Sequence, residues 1–179
     1  MKKLFTIALV VIAFIAAPTA NAQDEFAGLQ KSPTDISYAK TDRRAKPTMK
    51  VVYSRPQKKG RELFGKLVPY GKVWRTGADE ATEIKLTKDY KFGGKTVKAG
   101  TYSLFTIPGE KEWTIILNSD LDDWGAYAYK EANDVARITV PVASGKEVES
   151  FSIAFKGVDA GYHLVMGWGT TRVEVPFYN

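Results

Sequence analysis

From Thr82 onward, apolar residues recur at every second position. In TEIKLT, Ile84 and Leu86 alternate with Glu83, Lys85 and Thr87. GTYSLFTI sets Tyr102 and Leu104 on one face, and EWTIILN does so with Trp113, Ile115 and Leu117. ARITVPV carries Ile138, Val140 and Val142; SFSIAFKG carries Phe151, Ile153 and Phe155. YHLVMGWG presents Leu164, Met166 and Trp168, and TTRVEVPFY presents Val173, Val175 and Phe177. A period of two marks a strand with one face buried and one wet. Gly93-Gly94, between the arms of YKFGGKTV, signals a two-residue hairpin. Eight or more such strands at short spacing predict an all-β chain: an antiparallel β-sandwich, jelly-roll-like. AYAYKEA offers at most a short helix, so little or no helix is expected apart from the N-terminal segment.

Upstream the pattern changes. SPTDISYAK, Ser32 to Lys40, reads as a short edge strand, TDRRAKPT as a polar connection, and MKVVYS, Met49 to Ser54, as a strand. RPQKKGRELFGKLVPYGKVW is broken by Pro56, Pro69, Gly60, Gly65 and Gly71. Those interruptions exclude a long helix. They predict an ordered connection with short strand pieces.

The first residues have a different character. Lys2 and Lys3 precede an apolar run from Leu4 to Ala17, broken only by Thr6, and then Pro18 and the small-x-small triplet Ala20-Asn21-Ala22. This is the secretory signal pattern. The run falls short of the ~20 residues of a membrane span. The expected organisation is a signal peptide over 1–22, a flexible lead over 23–31 and one β-sandwich domain over 32–179. It implies an exported protein, periplasmic or extracellular, with no membrane span after cleavage.

Cysteine is absent. An exported chain without disulfides must draw its stability from a packed core. Thiol catalysis, thiolate metal sites and a lipid-anchored N-terminus are excluded. The net charge is +6, and +4 without Lys2 and Lys3. An excess this mild serves solubility, and export argues further against nucleic acid. Nine Tyr, nine Phe and four Trp suit a β-rich core or a stacking surface.

The densest candidate chemistry lies between residues 55 and 82. Arg55, Lys58, Lys59, Arg61 and Arg75 are interleaved with glycines and Trp74. Arginine presents a rigid fork of donors matched to carboxylate, phosphate or sulfate, and glycine lets a ligand approach the backbone. The candidate ligand-binding residues are Arg55, Lys59, Arg61, Trp74, Arg75, Asp79 and Thr82. The arginines would neutralise charge, Trp74 would stack, and Asp79 and Thr82 would orient polar groups. The structural alternative pairs Arg55 or Arg75 with Asp79 or Glu80 and clamps the long connection to the sandwich. Thr76-Gly77-Ala78-Asp79 also reads as turn chemistry.

Other motifs are weaker. Asp120, Asp122, Gly125 and Glu131 nearly follow calcium-loop spacing, but Trp124 takes a ligand position and flanking helices are missing. No metal is therefore assigned, and no cofactor. Asp120, Asp122 and Asp123 read better as a solvated loop. Trp124, Tyr127, Tyr129 and Tyr162 would form either a sugar-stacking face or part of the core and its rim, the latter being preferred. His163, the single histidine, is out of phase with Leu164 and is expected on the wet face, which argues against a Ser-His-Asp triad. Asp79 and Glu80 point apart on an extended segment, which argues against a glycosidase pair.

The run YSRPQKKGRELFGKLVPYGKVWRTGADEATEIKL, with GGKTVKAGTYSLFTIPGEKEWTIILN and WGAYAY, resembles the domain of unknown function 2911 family. The resemblance extends from about Ser32 through Phe177. It implies a small exported bacterial protein and brings no activity with it. It also implies Asn where this chain has Asp79; the carboxylate can only accept hydrogen bonds. The reading that follows is an exported, non-enzymatic binding module for a small anion, a carbohydrate or a partner protein. The alternatives are a cell-envelope hydrolase with Asp79 or Glu80 as general base, and a structural accessory protein with no small ligand.

Overall fold

The computed structural model describes Phe26 and residues 28–179. The expected signal segment, 1–22, lies outside the described residues. Nine strands form one antiparallel sheet in the order β1-β2-β3-β6-β7-β8-β9-β4-β5. They are β1 (Thr34–Ala39), β2 (Met49–Ser54), β3 (Glu83–Leu86), β4 (Tyr90–Phe92), β5 (Lys95–Val97), β6 (Gly100–Ile107), β7 (Glu112–Asn118), β8 (Asp134–Val158) and β9 (Gly161–Tyr178). The sheet has two edges, β1 and β5, and is not closed into a barrel. Among the described residues no helix is long and apolar enough to cross a membrane. The short helix offered by AYAYKEA does not form. Only a three-residue 3-10 turn, Glu131–Asn133, forms at its end.

The two long strands fold the sheet over its own core. Residues 134–141 of β8 pair with β7, while 142–158 pair with β9. The hand-over falls at Pro141, which has no N–H to give to a ladder. Irregularities between Ser144 and Ser152 bend the strand further. Apolar residues of both halves then meet face to face. Val51, Ile84, Leu104, Trp113 and Ile115 from one half lie in the same buried cluster as Phe151, Leu164, Met166, Trp168 and Val175 from the other. The Gly93-Gly94 hairpin joins β4 to β5, with φ of 58° and 80°. A Cβ on Gly93 would lie 2.8 Å from the Arg137 carbonyl oxygen, so this turn accepts only glycine there.

One expectation needs correction. Strict alternation makes the outer face wet along every strand, yet Ser103, Phe105, Ile116 and Asn118 are fully buried on the face opposite the main core. Ala81, Phe105 and Ile116 form a second apolar cluster, with Val73, Ile107, Ala126 and Tyr129 packed on it. The cause is that the 73–81 and 124–129 segments cover the outer face of β6 and β7. Those segments carry most of the candidate chemistry.

Candidate functional site

The 55–82 connection is pinned to the sheet at several points. Trp74 pairs with Thr106 of β6 through Trp74 N–H to Thr106 O (2.7 Å) and Thr106 N–H to Trp74 O (2.9 Å). Its indole faces the main core at 9% exposure, stacked on Trp168 at 6.1 Å and edge-on to Phe64, Trp113 and Phe151. The indole N–H donates to Gly77 O at 3.1 Å. Past Trp74 the chain closes a small ring. Thr82 N–H donates to Arg75 O (3.0 Å), and the Thr82 hydroxyl donates to Thr76 O (2.7 Å). Gly77 packs so tightly that a Cβ would lie 3.0 Å from Ser54 O.

The ring is strained. Thr76 and Asp79 have φ of 57° and 58°, as does neighbouring Asp122 at 59°. A β-branched residue in the left-handed region is a conformational outlier. Thr76 is held there fully buried, its hydroxyl 3.2 Å from that of Thr106. Outliers of this kind gather at functional sites.

A cavity of about 300 Å³ opens beside the ring. Arg61, Lys72, Trp74, Arg75, Gly77 and Trp168 are among its lining residues. Three cations and no carboxylate line it. Arg61 donates from Nε to Lys58 O (3.0 Å) and from Nη2 to Gln57 O, leaving Nη1 without a described partner. Arg75 is the unusual member. Its Nε is buried and has no hydrogen-bond partner among the described residues. No carboxylate among them comes within ion-pair distance of its guanidinium. The expected pairing of Arg75 with Asp79 or Glu80 is not formed.

The other sequence-derived candidates lie elsewhere. Arg55 is a clamp, but with different partners: Nη1 to Asp35 Oδ2 (2.9 Å), Nε to Phe151 O (3.1 Å) and Nη2 to the Ser152 hydroxyl (2.8 Å). All three guanidinium nitrogens are spent tying β1 to β8. Lys58 pairs with Glu147, which holds the Glu147 carboxyl below its usual range. Lys59 turns the chain with φ of 49° and donates its backbone N–H to Glu149 Oε1 at 2.7 Å. Thr82 is fully buried with its hydroxyl engaged, and Asp79 offers its backbone carbonyl to Gly125 N–H at 3.0 Å. Arg55, Lys59, Asp79 and Thr82 do not line the cavity; Arg61, Trp74 and Arg75 do. Lys72 and Trp168 complete it and were not singled out from the sequence. Trp168 was visible only as one core position of an alternating strand.

The acidic loop after β7 packs against the ring. Ala81 N–H donates to Asp123 O (2.8 Å), and Glu80 pairs with Trp124 in a short antiparallel bridge. Asp123 Oδ2 is buried without a described partner. Contrary to the preferred reading as core or rim, Trp124 and Tyr127 stand out into solvent, at 61% and 86% exposure. Tyr129 and Tyr162 follow that reading and pack on Phe105 and Phe155. His163 lies on the outer face, half-buried, with Nδ1 3.0 Å from Glu174 Oε2.

A polar network below this loop was not anticipated. Asp134 accepts from Asn118 Nδ2 (2.7 Å), the Tyr129 hydroxyl (2.8 Å) and Arg137 Nε, and Arg137 Nη2 donates to the Tyr129 oxygen (2.6 Å). Burial and the adjacent Asp134 carboxylate push the Tyr129 phenol up to about 12. Every group has a partner, so the network reads as a fastening of the loop to the start of β8.

The fold and the cavity together define an all-β protein with a cationic recess lined mostly by the 55–82 connection, with Trp74 and Trp168 of the main core at its wall. The chain belongs to the family described as protein of unknown function (DUF2911), whose model matches residues 32–177. No curated protein and no solved structure matches the chain.

Proposed function

We propose that this protein is an exported binding module that holds a small anionic ligand in the cavity lined by Arg61, Lys72 and Arg75. One observation carries the reading. Arg75 is fixed by a strained, hydrogen-bonded ring, yet its guanidinium has no described partner and its Nε is buried. Burying a donor without a hydrogen bond costs about 1–3 kcal/mol. An anion binding to the exposed part of the same fork would offset that cost, and the absence of carboxylates from the lining leaves the charge free to act. Export rests on the Lys2-Lys3, apolar-run and Ala20-Asn21-Ala22 pattern. N-terminal sequencing of protein recovered from its host should then begin at Gln23.

Thermal unfolding in sulfate, phosphate and citrate, against chloride at matched ionic strength, tests the binding reading. Ligand at a hundred times its Kd stabilises by about 2.7 kcal/mol. The rise in Tm should vanish in Arg75→Ala and shrink in Lys72→Ala. If none of the three anions moves Tm beyond the chloride control, the reading fails.

A further inference from the structure

The cavity is not the only unusual surface at this end of the sheet. Trp124 and Tyr127 project from the neighbouring loop into solvent. Their backbone is not loose. Ala81 N–H to Asp123 O and Gly125 N–H to Asp79 O fasten the loop on both sides of Trp124. Gly125 has φ of 73°, and the Tyr127 ring lies so close that a Cβ there would come within 2.9 Å of it. Two large aromatic side chains are thus held outward by a rigid base, at a cost in exposed apolar area that a core or rim role does not explain.

Arg75 connects this platform to the cavity. It lines the cavity, and its Nη1 lies 3.6 Å from the position a Gly125 Cβ would take. Charge is divided across the junction. The cavity side carries Arg61, Lys72 and Arg75, whereas Asp79, Glu80, Asp122 and Asp123 flank the platform. Carboxylates accept hydrogen bonds from hydroxyl groups but repel anions. A ligand matched to both parts has an anionic end and a hydroxyl-rich ring with an apolar face.

We propose that the ligand is an acidic saccharide. Its anionic group sits among Arg61, Lys72 and Arg75, and the adjoining sugar ring lies against Trp124 and Tyr127. This rests on the anion-binding reading above. Trp124 supplies the measurement, because Trp74, Trp113 and Trp168 are all buried. Acrylamide quenching of tryptophan fluorescence would be followed with uronic-acid oligosaccharides, with neutral oligosaccharides of equal length and with inorganic sulfate. The uronic-acid oligosaccharides should shield Trp124, and sulfate should bind without shielding it. Trp124→Ala and Tyr127→Ala, read by calorimetry, should weaken oligosaccharide binding about tenfold and leave sulfate binding unchanged. Arg75→Ala should weaken both. Urea unfolding of each variant shows whether the fold is retained.

Three outcomes overturn the proposal, and they separate its failure from that of the reading beneath it. If sulfate binds but the uronic-acid oligosaccharides bind no tighter and leave Trp124 open to acrylamide, the saccharide is wrong and anion binding stands. If neither binds, both fall. If neutral oligosaccharides shield Trp124 equally well in wild type and Arg75→Ala, the platform works apart from the cavity and the single continuous ligand is wrong.

Discussion

At the scale of single residues, two arginines of one basic segment have opposite roles. Arg55 uses all three nitrogens on Asp35, Phe151 O and Ser152, and removing it strands a carbonyl and a half-exposed carboxylate. Arg55→Ala should cost about 1–3 kcal/mol. Arg75 satisfies no described partner and its buried Nε costs stability, so Arg75→Ala should leave the fold no less stable and raise its stability by up to about 1–3 kcal/mol. Urea unfolding of the two variants side by side decides the matter; an Arg75 loss equal to that of Arg55 would make it a clamp after all. Asp79 gives a further case. Its φ of 58° asks for a residue that tolerates the left-handed region, which Asn and Asp both do. The resemblance implies Asn here, and backbone geometry accounts for either residue without a role for the side chain. Asp79→Asn should leave the urea midpoint unchanged, whereas Asp79→Val should lower it through a loss of stability of about 1–3 kcal/mol.

Among the elements, the strands were legible and the connection between them was not. Alternation marks β2, β3, β6 and β7 because each presents one face to a single core. It does not show that 134–158 is one strand, since the irregularities between Ser144 and Ser152 shift the inward phase from Ile138, Val140 and Val142 to Phe151, Ile153 and Phe155. The covered outer face did leave a trace. Leu104-Phe105 and Ile115-Ile116-Leu117 put apolar residues in both phases, a mark of burial on two sides. Lys72 and the cavity left none, because an irregular segment has no period from which to infer its facing. What holds that segment is aromatic packing, chiefly Trp74 among Phe64, Trp113, Phe151 and Trp168. Trp74→Ala should therefore cost about 3–5 kcal/mol, more than any charge removed from the same segment. Chemical denaturation would show it as a lower midpoint. A loss below that of Arg55→Ala would mean that ion pairs, not packing, fasten the connection.

For the molecule as a whole, the fastening of the acidic loop predicts how stability responds to alkali. The Tyr129 phenol donates to Asp134 while accepting from Arg137, and it titrates near 12 in the folded protein against an ordinary 10. Between those values the folded chain holds a proton that the unfolded chain has released. Stability from this group is whole below pH 10 and is lost as pH rises toward 12. The physical cause is that a phenolate can no longer donate to Asp134 and stands beside it as a second buried anion. Tyr129→Phe gives up two hydrogen bonds at neutral pH, to Asp134 and from Arg137, but has no such proton to lose. Its stability should start lower than wild type and fall less steeply between pH 10 and 12, so the two curves converge. The loop bearing Trp124 and Tyr127 hangs on the same network, so any binding through them should weaken over the same interval in wild type. Urea midpoints across that interval, for both proteins at one ionic strength, make the check. Parallel curves would show that Tyr129 titrates no differently folded than unfolded, and that the loop is secured by its packing on Phe105 alone.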